Sequence, residues 1–236
     1  MSFNNFRKDN LDTYLKELAK EFRRLNGRAM PAELILVGGA AVLSNYGFRE
    51  MTADVDAVIH AASSMKDAIN HVGDRFHLPN GWLNSDFMRT VSYSPKLNEF
   101  SVYYKTFYRI LTVRTVSAEY LIAMKLCSGR KYKNDFSDVI GILAEHKRCG
   151  NLITLDKINH AVINLYGGWQ GFPEYSLQFI KDALDADDFD KIYTSIRNSE
   201  TESRNLLLRF EKDYPDATKS ADLNIVLDLL KTKRNK

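Results

Sequence analysis

The chain has 236 residues, 44% hydrophobic and 27% charged, with a formal net charge of +3. Such a chain forms one large or two small domains with a core of normal size, and its charge is too small to mark a nucleic-acid binder on electrostatics alone. Cys127 and Cys149 form no Cys-x-x-Cys and the five histidines no His-Glu-x-x-His, which argues against a zinc site, a disulfide framework and a zinc hydrolase.

No leader pattern opens the sequence and no apolar run nears about eighteen residues, so neither export nor a membrane span is expected and the cytoplasm is the default location. Both cysteines are expected to stay reduced and dispensable.

The first predicted element is an amphipathic helix from about Asn10 to Leu25, with Leu11, Leu15, Leu18, Phe22 and Leu25 on one stripe. Lys16, Lys20, Arg23 and Arg24 would suit a basic helix on nucleic acid, but Asp12, Glu17 and Glu21 interrupt them. Asn26-Gly27 closes the helix. Leu34 to Val37 then reads as one buried strand, Gly38-Gly39 as a sharp turn open to close approach by a ligand, and Ala40 to Tyr46 as a helix. A helix start with free N–H groups suits phosphate. Asp54-Val55-Asp56 follows, before Val58-Ile59. On a strand, residues two apart share a face, so both carboxylates point one way, and their repulsion is relieved if a divalent cation lies between them.

Glycine turn, helix and a strand with paired aspartates together resemble the nucleotidyltransferase superfamily of the DNA polymerase β type. Fourteen residues separate Gly39 from Asp54, slightly more than is usual there, and Gly39 stands where many members have Ser. The run Thr52-Ala-Asp54-Val-Asp56 is similar to the Thr-x-Asp-x-Asp of AbiEii-type abortive-infection toxins and their uncharacterised bacterial relatives. This resemblance implies that Asp54 and Asp56 bind Mg²⁺ or Mn²⁺ and that Gly38, Gly39 and Thr52 bind a nucleoside triphosphate. The competing reading is a buried strand with two solvated acids.

Downstream, Ser63 or Ser64 caps a predicted helix from Met65 to Val72, and Pro79-Asn80-Gly81 marks a turn. Leu97 to Tyr104 and Phe107 to Val116 read as strands joined by a turn at Lys105-Thr106. Tyr103, Tyr104, Phe107 and Tyr108, with Lys105 and Arg109, would offer stacking and charge to a nucleic acid; the favoured reading is that they fill a sheet. Glu99, the single acid of this strand pair, is one candidate for the third carboxylate that members of the family carry on a later strand; Asp135 and Asp138 are the others.

Ala118 to Ser128 reads as an apolar helix with Lys125 on a buried stripe. Two roles fit this lysine: a stem that covers apolar surface while the ammonium reaches water, or a cation aimed at phosphates. Asp135 and Asp138 open another helix (Phe136, Val139, Ile140, Leu143), a pattern that imitates a capping box. Glu119-x5-Lys125-x4-Arg130 followed by Asp135-x-x-Asp138 also resembles the downstream motifs of the AbiEii-type proteins, which implies that Lys125 and Arg130 contact the nucleotide and that Asp135 or Asp138 acts in catalysis. Relatives place Lys where Asn134 stands here.

Beyond Gly150 helices are predicted from Thr154 and near 174–185, 188–197, 199–213 and 220–231, with a solvated basic tail from Lys231 to Lys236. The expectation is an α+β fold: a nucleotidyltransferase-like mixed sheet with flanking helices over residues 1–116, then a helical domain over 117–236. The implied activity is Mg²⁺-dependent transfer of a nucleoside monophosphate from a triphosphate to a hydroxyl acceptor, RNA, protein or small molecule, by the toxin of a toxin–antitoxin or phage-defence pair with a cognate antitoxin. The alternative is a catalytically silent binding partner of the same fold.

Overall fold

The computed structural model describes residues 6–186, 188–215 and 222–234. Their contacts divide the chain into two compact units, Met1–Met124 with Ile158–Gly168, and Lys125–Lys157 with Trp169–Lys236. The division therefore runs inside one continuous helix, Ala118–Ser128.

The first unit opens with α1 (Lys8–Asn26), whose stripe of Leu11, Leu15, Leu18 and Phe22 is buried; Leu25, at its end, is exposed. Glu21 on α1 accepts from Arg24, His71 and Arg75, and Arg24 above all holds its carboxyl down at about 2. This network ties α1 to α3 (Ser64–Phe76), a longer helix than its sequence suggests. Ser63 holds the N-cap position, as expected, but its side chain makes no capping bond, and Ser64 donates to Asn26.

Between these helices lie β1 (Ala32–Leu36), α2 (Gly38–Asn45) and β2 (Val55–His60). The glycines start α2 themselves. After β3 (Leu83–Asn84), the stretches Asp86–Arg89 and Pro95–Asn98 form single 3-10 turns. Leu97 to Phe100 are therefore not strand, as Pro95 at the start of the second turn favours helical geometry there. β4 runs Ser101–Phe107 and β5 Leu111–Val116. The hairpin turn is at Tyr108-Arg109, not at Lys105-Thr106, because Phe107 pairs with Leu111 and both are buried. Tyr108 and Arg109 take φ of 50° and 56°. This is a primed turn that usually carries Asn or Gly, and it costs about 1–2 kcal/mol for each residue with a β-carbon.

The five strands form a mixed sheet in the order β3-β2-β1-β5-β4. β1 is antiparallel to β2 and parallel to β5. Register places Val58, Ile35, Arg114 and Tyr103 in one row across β2, β1, β5 and β4. Asp56, two residues from Val58, shares that face. The opposite face carries Leu34, Leu36, Val55, Ala57 and Val113, all buried. Asn45 of α2 bonds Thr115 on this second face, and Lys105 reaches Asp12 of α1 there. α6 (Leu155–Tyr166) returns to the first unit, where Asn164 donates to Tyr120 and Ser94 to the Leu165 carbonyl.

In the second unit, α5 (Asp135–Arg148) packs on α8 (Phe189–Asp213), with α7 (Glu174–Ala186) and α9 (Leu223–Arg234) against α8. The two helices expected at 188–197 and 199–213 are one. No Gly or Pro breaks Asn198-Ser199-Glu200, and Glu200 points inward. Lys231 to Arg234 continue α9 rather than trailing as a tail, and the tail's last two residues, like the start of the helix expected at 220, lie outside the described residues. α4 (Ala118–Ser128) matches its predicted bounds.

Candidate functional site

Gly38 and Gly39 occupy the first turn of α2. Gly38 has φ of +53°, a conformation that favours glycine. A β-carbon there would stand 3.7 Å from Asp56 Oδ2, so that carboxylate faces the turn. The backbone locks the pair together, since Val37 N–H donates to the Asp56 carbonyl at 3.0 Å. Ala41 N–H bonds the Val37 carbonyl, which leaves the amides of Gly38, Gly39 and Ala40 with no partner in their own helix.

Gly39 is crowded from the other side. A β-carbon on it would lie 2.5 Å from Thr52 Oγ1 and 2.7 Å from Arg49 Nη2. Thr52 is buried and fixed by a two-bond bridge to Phe6, and Arg49 Nε donates to the Met51 carbonyl. A hydroxyl, a guanidinium and three helix-start amides thus converge on one glycine turn beside a carboxylate, a composition suited to phosphate with a cation. Sequence reasoning missed Arg49. Its position three residues before Thr52 carries no periodic signal; only the chain's return over Gly39 brings it in.

Asp54 lies just before β2 and is exposed, while Val55 between the two aspartates is fully buried. Hard oxygen donors of this kind suit Mg²⁺, which takes one or two carboxylates and completes its shell with water and phosphate. Glu99 does not join them, being an exposed residue that caps the second 3-10 turn, outside any strand. Among the described residues no group of three or more His, Cys, Asp or Glu is placed to hold a metal ion.

The downstream motif belongs to the second unit. Lys125 is only 6% exposed, and its ammonium lies 3.0 Å from Asp135 Oδ1 and 2.8 Å from Asp138 Oδ2. It does not reach water as a lysine covering apolar surface would. Arg130 makes a forked contact with Asp135 through Nε and Nη2, and its backbone N–H adds a third bond. Burial pushes the Asp135 carboxyl up, but Lys125 and Arg130 outweigh it and hold that group well below the usual range.

Neither aspartate caps α5. Its first amides, Phe136 N–H and Ser137 N–H, donate instead to Glu200 of α8, as does the Ser137 hydroxyl. Glu200 was also not legible in the sequence, because its partners are mostly backbone. Burial raises it from 4.5 to about 7, with Asp138's charge adding to the effect and the bonds from Ser137 and Phe136 opposing it. A carboxyl raised by folding stabilises the fold while protonated, so stability falls as pH rises from about 4.5 to about 7. Glu200→Gln should flatten that decline, whose full span is roughly 3 kcal/mol. Urea denaturation of both proteins across this range tests it, and equal slopes would contradict it. Asp135 titrates in the opposite sense and at lower pH, outside this window.

A family model described as "Nucleotidyltransferase of unknown function (DUF6036)" matches residues 13–164, well over half of the chain. The chain belongs to that family. The match includes the glycine turn, Arg49, Thr52, both aspartates of the first motif and the Lys125–Asp138 stretch. No curated protein and no solved structure matches it. Among the described residues of this family member, no helix is long and apolar enough to cross a membrane.

Proposed function

We propose that this nucleotidyltransferase-family protein transfers a nucleoside monophosphate from a triphosphate to a hydroxyl acceptor. The observation that carries the reading is the Asp56 carboxylate facing the Gly38–Gly39 turn at the start of α2. Asp54 and Asp56 would hold Mg²⁺ or Mn²⁺, which supplies charge neutralisation on the phosphates when bound. The amides of Gly38, Gly39 and Ala40 receive phosphate oxygens, and a side chain at either glycine would obstruct them. Arg49 offers a planar pair of donors to the same oxygens, and Thr52 fixes the floor of the turn. The acceptor hydroxyl displaces pyrophosphate from the α-phosphorus. To Lys125, Asp135 and Asp138 we assign a positioning role, holding the corner between α4 and α5, with Arg130 as its outer clamp.

The resemblance to AbiEii-type toxins extends the proposal to a toxin or phage-defence role in the cytoplasm, with RNA or protein as acceptor and a cognate antitoxin as partner. One observation favours a second reading, the catalytically silent binding protein. On the face that carries Asp56, β5 presents a basic side chain, Arg114, and no acid. Calorimetry with each triphosphate, with Mg²⁺ and with a chelator, tests the site, and label transfer from an α-labelled triphosphate separates the two readings. Metal-dependent binding without transfer supports the silent one.

A further inference from the structure

The aromatic stretch of β4 does not fill the sheet as its sequence suggests. Tyr104 is half-buried and Phe107 buried, but Tyr103 is 62% and Tyr108 42% exposed. β4 is the edge strand. Tyr103 stands on the sheet face that carries Asp56, three strands away, about 16 Å by strand spacing and rise. Tyr108 and Arg109 form the exposed hairpin tip in a left-handed conformation that any residue with a β-carbon adopts only at a cost. Nothing in the packing demands an aromatic ring and a guanidinium at that tip.

Charge lies on the other face of the same edge, where α1 packs. A groove of about 340 Å³ lies between α1 and the hairpin, lined by Asp12, Thr13, Lys16, Lys105, Thr106, Phe107 and Tyr108. Asp12 is its one acid, and Lys105 covers it at 2.8 Å while Tyr104 donates to its other oxygen. Lys16 in the groove and Arg109 at the hairpin tip are both exposed. Exposed rings on the edge strand and at its tip, with Arg109 next to Tyr108 and the carboxylate on the other face paired to Lys105, match a polyanion whose bases are unpaired. Strand addition by a protein fits less well, because the register shift between Tyr103 and Lys105 and the lysine itself disrupt the edge.

We propose that β4 and the β4–β5 tip form a binding track for single-stranded nucleic acid, with bases stacked on Tyr103 and Tyr108 and phosphate on Arg109. That this strand is also the acceptor rests on the transferase reading; the binding itself does not. The test is fluorescence anisotropy with end-labelled oligouridylate and oligothymidylate of about sixteen nucleotides, at about 50 mM salt, without triphosphate or metal. Tyr103→Ala and Tyr108→Ala should each weaken binding roughly fivefold to a hundredfold, with Tyr103→Phe retaining it. Arg109→Ala should lower the salt slope by about 0.7. All three substituted side chains are exposed, so melting temperatures should not move. No binding of either strand at low salt overturns the proposal. So does a change under about twofold in the double tyrosine variant, or a self-association that Tyr103→Ala abolishes while oligonucleotide binding persists. Asp56→Ala should leave the track intact. Failure of metal-dependent triphosphate binding with oligonucleotide binding retained removes the transferase reading and the acceptor role alone, and the converse removes the track alone.

Discussion

Lys125→Met is expected to destabilise the protein by about 3–5 kcal/mol. The substitution keeps the stem and deletes the ammonium that lies between Asp135 and Asp138, both almost fully buried. Asp135 keeps Arg130, but the low-dielectric site loses the cation that both carboxylates share. For a chain of this size the melting temperature should fall by roughly 6–20 °C. The double variant Lys125→Met with Asp138→Asn should recover part of the loss, since it removes a stranded charge together with its partner. Urea and thermal denaturation of the three proteins decide the matter. Stability unchanged or raised in Lys125→Met would return this side chain to the role of a lysine covering apolar surface.

Gly39→Ala should strike the first motif as hard in function, though less in stability. Its methyl would enter at 2.5 Å from Thr52 Oγ1 and 2.7 Å from Arg49 Nη2. Arg49 can swing its end away. Thr52, buried and bridged to Phe6, cannot. The strain is expected to cost about 1–3 kcal/mol, and triphosphate affinity should fall at least about tenfold as the guanidinium leaves the turn, a loss equivalent to about 1.4 kcal/mol. Gly38→Ala meets only an ordinary 3.7 Å contact, so its cost comes from positive φ, about 1–2 kcal/mol. Thr52→Ala in the Gly39→Ala background should restore stability. An unperturbed Gly39→Ala protein with full triphosphate affinity would show that the turn is not a phosphate cradle.

Local signals made much of this fold legible. Apolar periodicity located α1, α4 and α5, and Gly38-Gly39 with Asp54 and Asp56 led to the family. What escaped was set by tertiary partners. The hairpin turn moved to Tyr108-Arg109 because Phe107 and Leu111 both had to be buried, against local turn chemistry. Asp135 and Asp138 looked like a cap, yet they face Lys125 while Glu200, more than sixty residues away, takes the capping bonds. Arg49 and Glu200 act through backbone and glycine neighbours, and no sequence spacing encodes such contacts.

The most direct test of the central claim is calorimetric titration of each nucleoside triphosphate into the wild-type protein and Asp56→Ala, with Mg²⁺ and with chelator. At least one triphosphate should bind in a way that needs the metal, with a loss of at least about tenfold in Asp56→Ala at unchanged melting temperature. Tight binding indifferent to both metal and Asp56→Ala would contradict it.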